Sequence, residues 1–190
     1  MDAKLRLSEL LQAYTPESEK EVTDRAQMLE FVQTLTNPLS RSERAAHFTG
    51  SAVVVHPDLQ QVCVNFHGKL KRWMHVGGHG EEGDNGDIAE TALREAHEET
   101  GLEVRHFKGV PYLFDLDIHS IPERGNEPEH LHLDLRFLLL ATSEQIILDP
   151  NESSEVRWFS WDEACAKVGS DFSSERLFKK ARRIVQGASP

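Results

Sequence analysis

Apolar residues before position 45 recur at the spacing of an α-helix. A leucine-rich stretch, residues 5–11, gives one short amphipathic pattern, and residues 22–35 give a longer one. We predict two helices, the second with Thr15 as its N-cap and Pro16 in its first turn. Because apolar helical stripes usually face a core, packing on the rest of the protein is the expected role of this segment.

After residue 45 the pattern changes to the short apolar runs and alternating positions that are typical of strands. The predicted strands cover residues 51–55, 61–66, 110–118, 131–141 and 155–159, and closing helices cover 162–168 and 174–185. A sheet between helices follows, so the fold class is α+β with an αβα arrangement.

This division predicts an N-terminal helical extension, residues 1–45, and one domain, residues 46–190. A chain of 190 residues is long enough for one domain with a real core. A contact between two copies of the chain and a cover over substrate are the alternative roles of the extension.

The formal net charge of −11 narrows the choice of partner. A long nucleic acid is disfavoured, because polymer binding relies on a basic surface. A small anionic ligand remains compatible if bound metal supplies positive charge locally. No apolar run reaches membrane-spanning length, no signal-peptide pattern opens the chain, and Cys63 and Cys165 read as reduced thiols. We therefore expect a cytoplasmic protein that does not bind membranes.

The most informative segment is a helix predicted over residues 87–100, with an N-cap at Asp87 and an end at Gly101. Glu95, Glu98 and Glu99 lie at i, i+3 and i+4, beside a stripe of small alanines that lets the helix pack close to a sheet. Crowded carboxylates repel one another unless a cation neutralises them. Oxygen ligands of this kind select Mg²⁺, Mn²⁺ or Ca²⁺. The alternative is a solvated charged face.

Residues 94–102 and the glycines before them resemble the Nudix box, G-x5-E-x7-R-E-U-x-E-E-x-G-U, in which U is bulky and aliphatic. The second half fits at every fixed position except for Ala96 at the first U. In the first half, counted from Gly78, Asp84 replaces the glutamate, and nine residues instead of seven precede Arg94. We prefer this register because Asp84 can pair with Arg94 and the loop Asn85-Gly86 can absorb two residues cheaply.

A second register starts at Gly80 and keeps the spacing, but it puts Gly86 at the acidic position. The resemblance also includes Trp73 before the glycines and the strand at residues 155–160, so it covers roughly residues 46–170.

This resemblance implies a Nudix αβα sandwich with a mixed sheet. It also implies a metal-dependent hydrolase that cleaves a phosphoanhydride bond in a nucleoside diphosphate linked to another moiety, with Mg²⁺ (or Mn²⁺) activating the attacking water. The implied metal ligands are Glu98, Glu99 and the Gly77 carbonyl, with Glu95 as second-metal ligand or base and Arg94 holding the helix geometry. The implied distant base is Glu152 or Glu155, followed by Glu127 and Glu129.

Polar residues on two predicted strands form a second group of candidates. Asp115, Asp117 and His119 alternate on one strand, as do His130, His132 and Asp134 on the other. If the strands pair, these groups line one pocket that binds metal or phosphate or transfers protons. The alternative is a hydrogen-bonded polar face of the sheet.

Basic residues gather once near the box, at Lys69, Lys71 and Arg72. They are candidates for gripping the phosphate chain, and the alternative is a hairpin tip made soluble by its charges.

Two other functions compete with hydrolysis. A non-catalytic nucleotide-binding Nudix module is one, although such a module would be expected to lose a ligand glutamate. An enzyme like isopentenyl diphosphate isomerase is the other, but it should carry a cysteine near the glycine turn. The expected partner is a small anionic nucleotide, with the triphosphate end of RNA as the one nucleic-acid exception, and a homodimer is a further expectation. Substrate specificity lies in loops outside the box.

Overall fold

The computed structural model describes residues 2–68, 70–147, 155–169 and 171–187. Over these residues the chain forms the helices α1 (Ala3–Ala13), α2 (Glu19–Thr34), α3 (Ile88–Thr100), α4 (Trp161–Val168) and α5 (Phe172–Gly187). It also forms the strands β1 (Ala46–Val55), β2 (Gln61–His67), β3 (Arg72–Met74), β4 (Val76–His79), β5 (Val104–His106), β6 (Leu113–Ile121), β7 (His130–Ala141) and β8 (Glu155–Ser160).

The strands form one mixed sheet with β1 at its centre. Strand β1 runs parallel to β7 on one side and antiparallel to β2 and β4 on the other. Strands β5 and β6 pair with β7, whereas β3 and β8 pair with β2. All ten residues of β1 are buried, as expected for a strand covered on both faces.

Apolar side chains form two layers, one on each face of the sheet. Ala52 and Val54 face a cluster that includes residues of α1, α2 and α3, while Val53 and Val55 face a cluster with α4 and α5. The alternation along β1 thus places one helical layer on each face. The predicted α+β sandwich with a mixed sheet between helices is confirmed. Within the described parts of the chain, no helix combines the length and the hydropathy that a bilayer span requires.

The N-terminal helices contribute to the same core. Leu7, Leu11, Met28 and Val32 are almost wholly buried in the cluster that also contains residues of α3. The prediction that α2 begins at Thr15 was wrong. Its N-cap is Ser18, whose Oγ accepts a hydrogen bond from the Glu21 N–H at 3.2 Å, an arrangement that satisfies one of the free N–H groups of the first turn. The division of the chain at residue 45 stays a prediction.

Helix α2 also buries charge. The Glu21 carboxylate accepts hydrogen bonds from Tyr14 Oη at 2.6 Å and from Lys180 Nζ of α5 at 3.1 Å. The Asp24 carboxylate accepts one from the Ile118 N–H of β6 at 3.1 Å. Because a buried charge is costly without a partner, these contacts fix how α2 lies on the sheet and on α5.

Replacing Gly50 by alanine should lower the free energy of unfolding by about 1–3 kcal/mol, the usual range for an overpacked core. A Cβ atom at Gly50 in β1 would lie 2.6 Å from the Ile88 carbonyl oxygen and 3.1 Å from Thr91 Cβ, so α3 would have to move off the sheet. Urea unfolding of the variant measures the change. Gly187→Ala is the matched control, since nothing lies within 4 Å of its Cβ position. Equal stability of the two variants would show that close packing of α3 on β1 does not limit stability.

Candidate active site

Helix α3 has the boundaries that the sequence predicts. Asp87 caps it by accepting a hydrogen bond from the Ala89 N–H at 3.0 Å, and Arg6 Nη1 of α1 donates to the same carboxylate at 2.6 Å. Gly101 ends it in the left-handed conformation, with φ of 67°, and donates its N–H to the His97 carbonyl. The alanines of α3 face the sheet, fully buried, so the glutamates lie at the edge of this contact.

The glycine turn is a short strand, β4, antiparallel to β1. Gly77 has φ of +150°, and a Cβ there would meet Ser51 Oγ at 2.3 Å. Its N–H donates to Glu99 Oε2 at 3.1 Å. At Gly78 a Cβ would lie 2.4 Å from Glu95 Oε1. Gly77 requires glycine because its φ is positive and Ser51 occupies the space that a side chain would need, whereas at Gly78 that space holds the end of the flexible Glu95 side chain.

Arg94 joins the glycine turn, the loop and the helix. Its Nε donates to Asp84 Oδ1 at 2.9 Å and its Nη2 to Asp84 Oδ2 at 3.1 Å, a bidentate pair. Nη2 also donates to the His79 carbonyl at 2.7 Å, and Nη1 donates to Glu95 Oε1 at 3.1 Å and Glu98 Oε2 at 2.7 Å. The Asp84 register preferred from the sequence is therefore the one that the structure adopts.

The two additional residues form the turn between this acid and α3. Asn85 and Gly86 both have positive φ, 52° and 70°, directly after a single 3-10 turn at Glu82–Asp84. Asparagine and glycine tolerate this conformation better than other residues, which explains how the loop absorbs the insertion without displacing Asp84.

The acids differ in their electrostatic environment. Burial alone would raise the pKa of Asp84, but hydrogen bonds from Arg94, the Glu81 N–H and Thr91 hold it below its ordinary value. Burial raises the pKa of Glu95, and the neighbouring charge of Glu98 adds to this shift while Arg94 opposes it. Asp84 is thus a charged structural partner, whereas Glu95 lies where negative charge is poorly compensated.

These glutamates suit a hard divalent cation in donor type. Glu95 and Glu99 lie against Gly78 and Gly77, and a cation would offset the charge repulsion that burial of Glu95 accentuates. Glu98 is more exposed and turns towards Arg94. In the described parts of the chain, the group of three ligand atoms within 4.8 Å of one another consists of histidines and not of these glutamates. A cation held by all three carboxylates would draw Glu98 from Arg94.

The candidates for a distant base that the structure describes lie outside α3 and the glycine turn. Glu155 begins β8 opposite Phe66 of β2, and its carboxylate pairs with Arg157. Glu152 lies outside the described residues. Exposed Glu127 pairs with Arg41 at 3.5 Å, and Glu129 accepts a hydrogen bond from Ser120 Oγ at 2.7 Å.

Of the basic residues before Trp73, Lys71 lies in the turn between β2 and β3 and Arg72 begins β3. Lys71 has a left-handed backbone with φ of 54°, and Arg72 is exposed at the start of β3. Lys69 lies outside the described residues. Their contact with a phosphate chain stays a prediction.

Strands β6 and β7, which carry the alternating polar residues, do pair. Asp117 lies opposite Asp134, His119 opposite His132, and Asp115 opposite Arg136. The pairing therefore brings the two trios together, as the sequence analysis required for a common pocket.

The acidic half of this pattern is an internal network centred on Arg136. Arg136 is 2% exposed and contacts Asp134 at 2.7 Å, Asp115 at 3.1 Å and Asp117 at 3.5 Å. Arg176 of α5 also donates to Asp115, at 3.0 Å. The aspartates are held by protein donors and link the sheet to α5.

Asp134, predicted as a substrate-binding residue, is buried. Its carboxylate accepts hydrogen bonds from Thr49 Oγ1 at 3.0 Å, Ser51 Oγ at 2.7 Å and Arg136 Nε at 2.7 Å. Asp134 therefore lies beside β1, next to the point where Ser51 packs against Gly77.

The histidine half of the pattern lines a cleft. His130 and His132 face it, joined by His47 at the start of β1 and His79 at the end of β4. His119 lies beside His132, with ring centroids 5.5 Å apart. His47 and His79 are not among the residues predicted from the sequence. The position of His79 directly after the glycine pair was the available signal, and His47 precedes the apolar run of β1.

Comparison with known proteins identifies the family of the chain. The sequence model of the NUDIX domain matches residues 49–181, well over half of the chain. The chain belongs to the NUDIX family. Members of this family are generally pyrophosphohydrolases that use divalent metal ions. A search of curated proteins gives no significant match.

Solved structures share the fold at low sequence identity. A NUDIX-family hydrolase from Clostridium perfringens is 23% identical, with a TM-score of 0.50, and the match covers 75% of this chain and 98% of that one. The NUDIX domain of Shewanella oneidensis NrtR, complexed with ADP ribose, is 19% identical with a TM-score of 0.52, over 82% and 97% of the chains. A C. elegans Ap4A hydrolase is 13% identical with a TM-score of 0.51, over 74% and 98%.

Proposed function

We propose that this protein is a metal-dependent hydrolase that cleaves a phosphoanhydride bond in a nucleoside diphosphate linked to another moiety. The observation that carries the proposal is the placement of the Glu95 and Glu99 carboxylates against Gly78 and Gly77, with Arg94 anchored on Asp84. Family membership supports the same reaction class.

The cation would be Mg²⁺, or Mn²⁺ with the same ligands. Glu98, Glu99 and the Gly77 carbonyl would hold it, and Glu95 would bind a second cation or accept a proton. Such a cation lowers the pKa of its bound water and neutralises charge on phosphoryl oxygens. Arg94 keeps the helix in register with the turn. Glu152 and Glu155 are the proposed alternatives for a distant base.

The proposal of an anionic substrate rests on two positively charged side chains. Lys71 and Arg72 would meet the phosphate chain at the turn between β2 and β3. The ADP ribose complex and the Ap4A hydrolase among the structural neighbours support a nucleotide-type ligand. We propose that the substrate is a small anionic nucleotide, with the triphosphate end of RNA as a further substrate to test. We also propose that the protein is cytoplasmic and forms homodimers.

A substrate panel with identification of both products tests this function. It contains nucleoside triphosphates, nucleotide sugars, ADP-ribose, dinucleoside polyphosphates and RNA with a 5′-triphosphate, each with Mg²⁺ and with Mn²⁺. We expect two phosphorylated products from one substrate class, with one oxygen from labelled water on phosphorus, and no reaction in EDTA. Tight nucleotide binding without turnover would instead identify a nucleotide-binding module.

The isomerase alternative lacks its cysteine. Cys63 is buried in the interior of β2, where burial raises its pKa, and it is not part of the glycine turn. Cys165 lies on α4.

Gly78→Ala should lower kcat by about a hundredfold, because misplacing a catalytic group by about 1 Å has an effect of this order. The new Cβ would displace the end of the flexible Glu95 side chain and not the backbone, so we expect little change in stability. Steady-state kinetics and thermal unfolding measure the two effects. Gly83→Ala, with nothing within 4 Å of its Cβ position, should behave like the wild type. Unchanged kcat in the Gly78 variant would remove Glu95 from the proposed site.

A further inference from the structure

Four histidines from three strands meet in one cleft of about 360 Å³. We call this the histidine cleft, and its histidines are His47 of β1, His79 of β4, and His130 and His132 of β7. The ring centroid of His47 lies 5.0 Å from that of His79, 4.9 Å from that of His130 and 5.0 Å from that of His132. Residues 41–44 and 126–128 form its walls. Rings from separate strands at this spacing can direct several nitrogens to one point.

The ligand atoms are already close together. One potential ligand atom each of His47, His130 and His132 lie within 4.8 Å of one another. His79 Nε2 lies next to this group, 3.2 Å from His132 Nε2, where one of the two rings donates a hydrogen bond to the other. Two nitrogens bound to one tetrahedral zinc ion at about 2.0–2.1 Å stand roughly 3.3 Å apart. The hydrogen-bond spacing of His79 and His132 is thus also compatible with two ligands of one ion.

Backbone carbonyls set the tautomer of two of the rings. His47 Nδ1 faces the Glu43 carbonyl at 3.3 Å, and His130 Nδ1 faces the Pro128 carbonyl at 2.9 Å. A carbonyl only accepts, so each Nδ1 carries the proton and each Nε2 presents a lone pair. A hydrogen bond from the other ring nitrogen to a carbonyl is the contact that typically orients a metal-binding histidine.

A buried nitrogen lacks a partner at the same place. His47 is 3% exposed, and its Nε2 is a buried polar atom that has no hydrogen-bond partner among the residues that the structure describes. A buried polar atom without a partner raises the free energy of the folded state, and a ligand bound to that atom would remove this cost. A metal ion among the rings would satisfy this nitrogen together with those of His130 and His132.

We propose that the histidine cleft binds one divalent transition-metal ion of the zinc class, with His47, His130 and His132 as ligands and His79 as the fourth. Imidazole nitrogen prefers such ions, whereas Mg²⁺ prefers oxygen. The site is therefore separate in chemistry from the glutamates of α3. The two are neighbours, because the His79 carbonyl accepts a hydrogen bond from Arg94.

Cobalt binding to the full chain tests the proposal. The protein is stripped with EDTA, exchanged into buffer with excess Mg²⁺, and titrated with Co²⁺, whose visible absorption reports nitrogen ligation. We expect one Co²⁺ per chain, displaced by Zn²⁺. His132→Ala and His130→Ala should each weaken binding by about a hundredfold or more, since even the loss of a residue that only orients a ligand weakens metal binding about 10–100-fold. The control His97→Ala, at an exposed position on α3, should bind like the wild type.

Two further arms separate this site from the proposed hydrolase site. A double variant, Glu95→Gln with Glu98→Gln, should keep the cobalt spectrum even if it loses hydrolysis. Loss of cobalt in that variant, or full binding in both His130 and His132 variants, would overturn the proposal. So would inorganic phosphate shifting the NMR signals of these rings while Co²⁺ fails to bind, since the cleft would then be an anion site. Circular dichroism checks folding, and His130, which is partly exposed, provides the variant least expected to unfold.

Discussion

Replacing Glu98 by glutamine should lower kcat by about 10²- to 10³-fold. The side chain keeps its shape and loses the charge that would hold the cation, and a loss of about 3–4 kcal/mol of transition-state stabilisation corresponds to this factor. Glu98 is 45% exposed and contacts Arg94 one turn away, so the free energy of unfolding should change little. Steady-state kinetics with Mg²⁺ on the substrate found in the panel measures the effect.

Glu90→Gln is the matched control. Glu90 lies on the same helix but on its exposed side, and kcat should stay at the wild-type value. Raising the Mg²⁺ concentration should restore part of the activity of the Glu98 variant, because it compensates weaker binding of the cation. Wild-type kcat in the Glu98 variant would mean that Glu98 holds no catalytic metal, and the proposed hydrolase mechanism would lose its principal ligand.

Replacing Arg136 by alanine should lower the free energy of unfolding by about 3–5 kcal/mol, the usual cost of leaving buried charges unpaired. Arg136 is 2% exposed and contacts Asp115, Asp117 and Asp134. Its loss removes the cation that the three buried aspartates share, while Asp115 keeps Arg176 at 3.0 Å and Asp117 keeps Lys20 at 2.9 Å. Urea unfolding followed by circular dichroism gives the change.

Arg183→Ala provides the comparison on α5. Its ion pair with Glu17 is exposed, with 63% of the arginine side chain accessible, so the effect should stay below about 1 kcal/mol. If the Arg136 variant is as stable as the Arg183 variant, the aspartates take up protons or water at little cost, and the network does not hold the sheet to α5.

The predictive strength of the sequence varied with the range of the interactions. Helix α3 was predicted with its N-cap and its terminating glycine because capping depends on residues within one turn. The start of β1 was not predicted. Its first half contains His47, Thr49 and Ser51, polar residues that are buried only because β7, β4 and α3 cover them. Hydropathy along the chain carries no information about that cover.

In the candidate site, too, features that depend on local interactions were predicted and features that depend on tertiary contacts were not. The spacing of Glu95, Glu98 and Glu99 on one helix, and the pairing of Asp84 with Arg94, followed from local spacing and charge. The burial or exposure of the polar residues on β6 and β7 did not follow from local spacing and charge. Alternation predicted that each trio shares a face, but it did not tell which members would be enclosed. Arg136 and α5 enclose the aspartates, whereas the histidines open on the cleft.

The sequence by itself determined the family, the sandwich of helices and sheet, and the helix that carries the carboxylates, because these depend on periodicity, capping and a short motif. Only the tertiary structure decided that His47 and His79 join His130 and His132. These residues come from strands β1, β4 and β7, and their meeting depends on the parallel pairing of β1 with β7 and the antiparallel pairing of β1 with β4. Strand pairing over more than 50 residues is set by the packing of the whole core, and no local pattern encodes it.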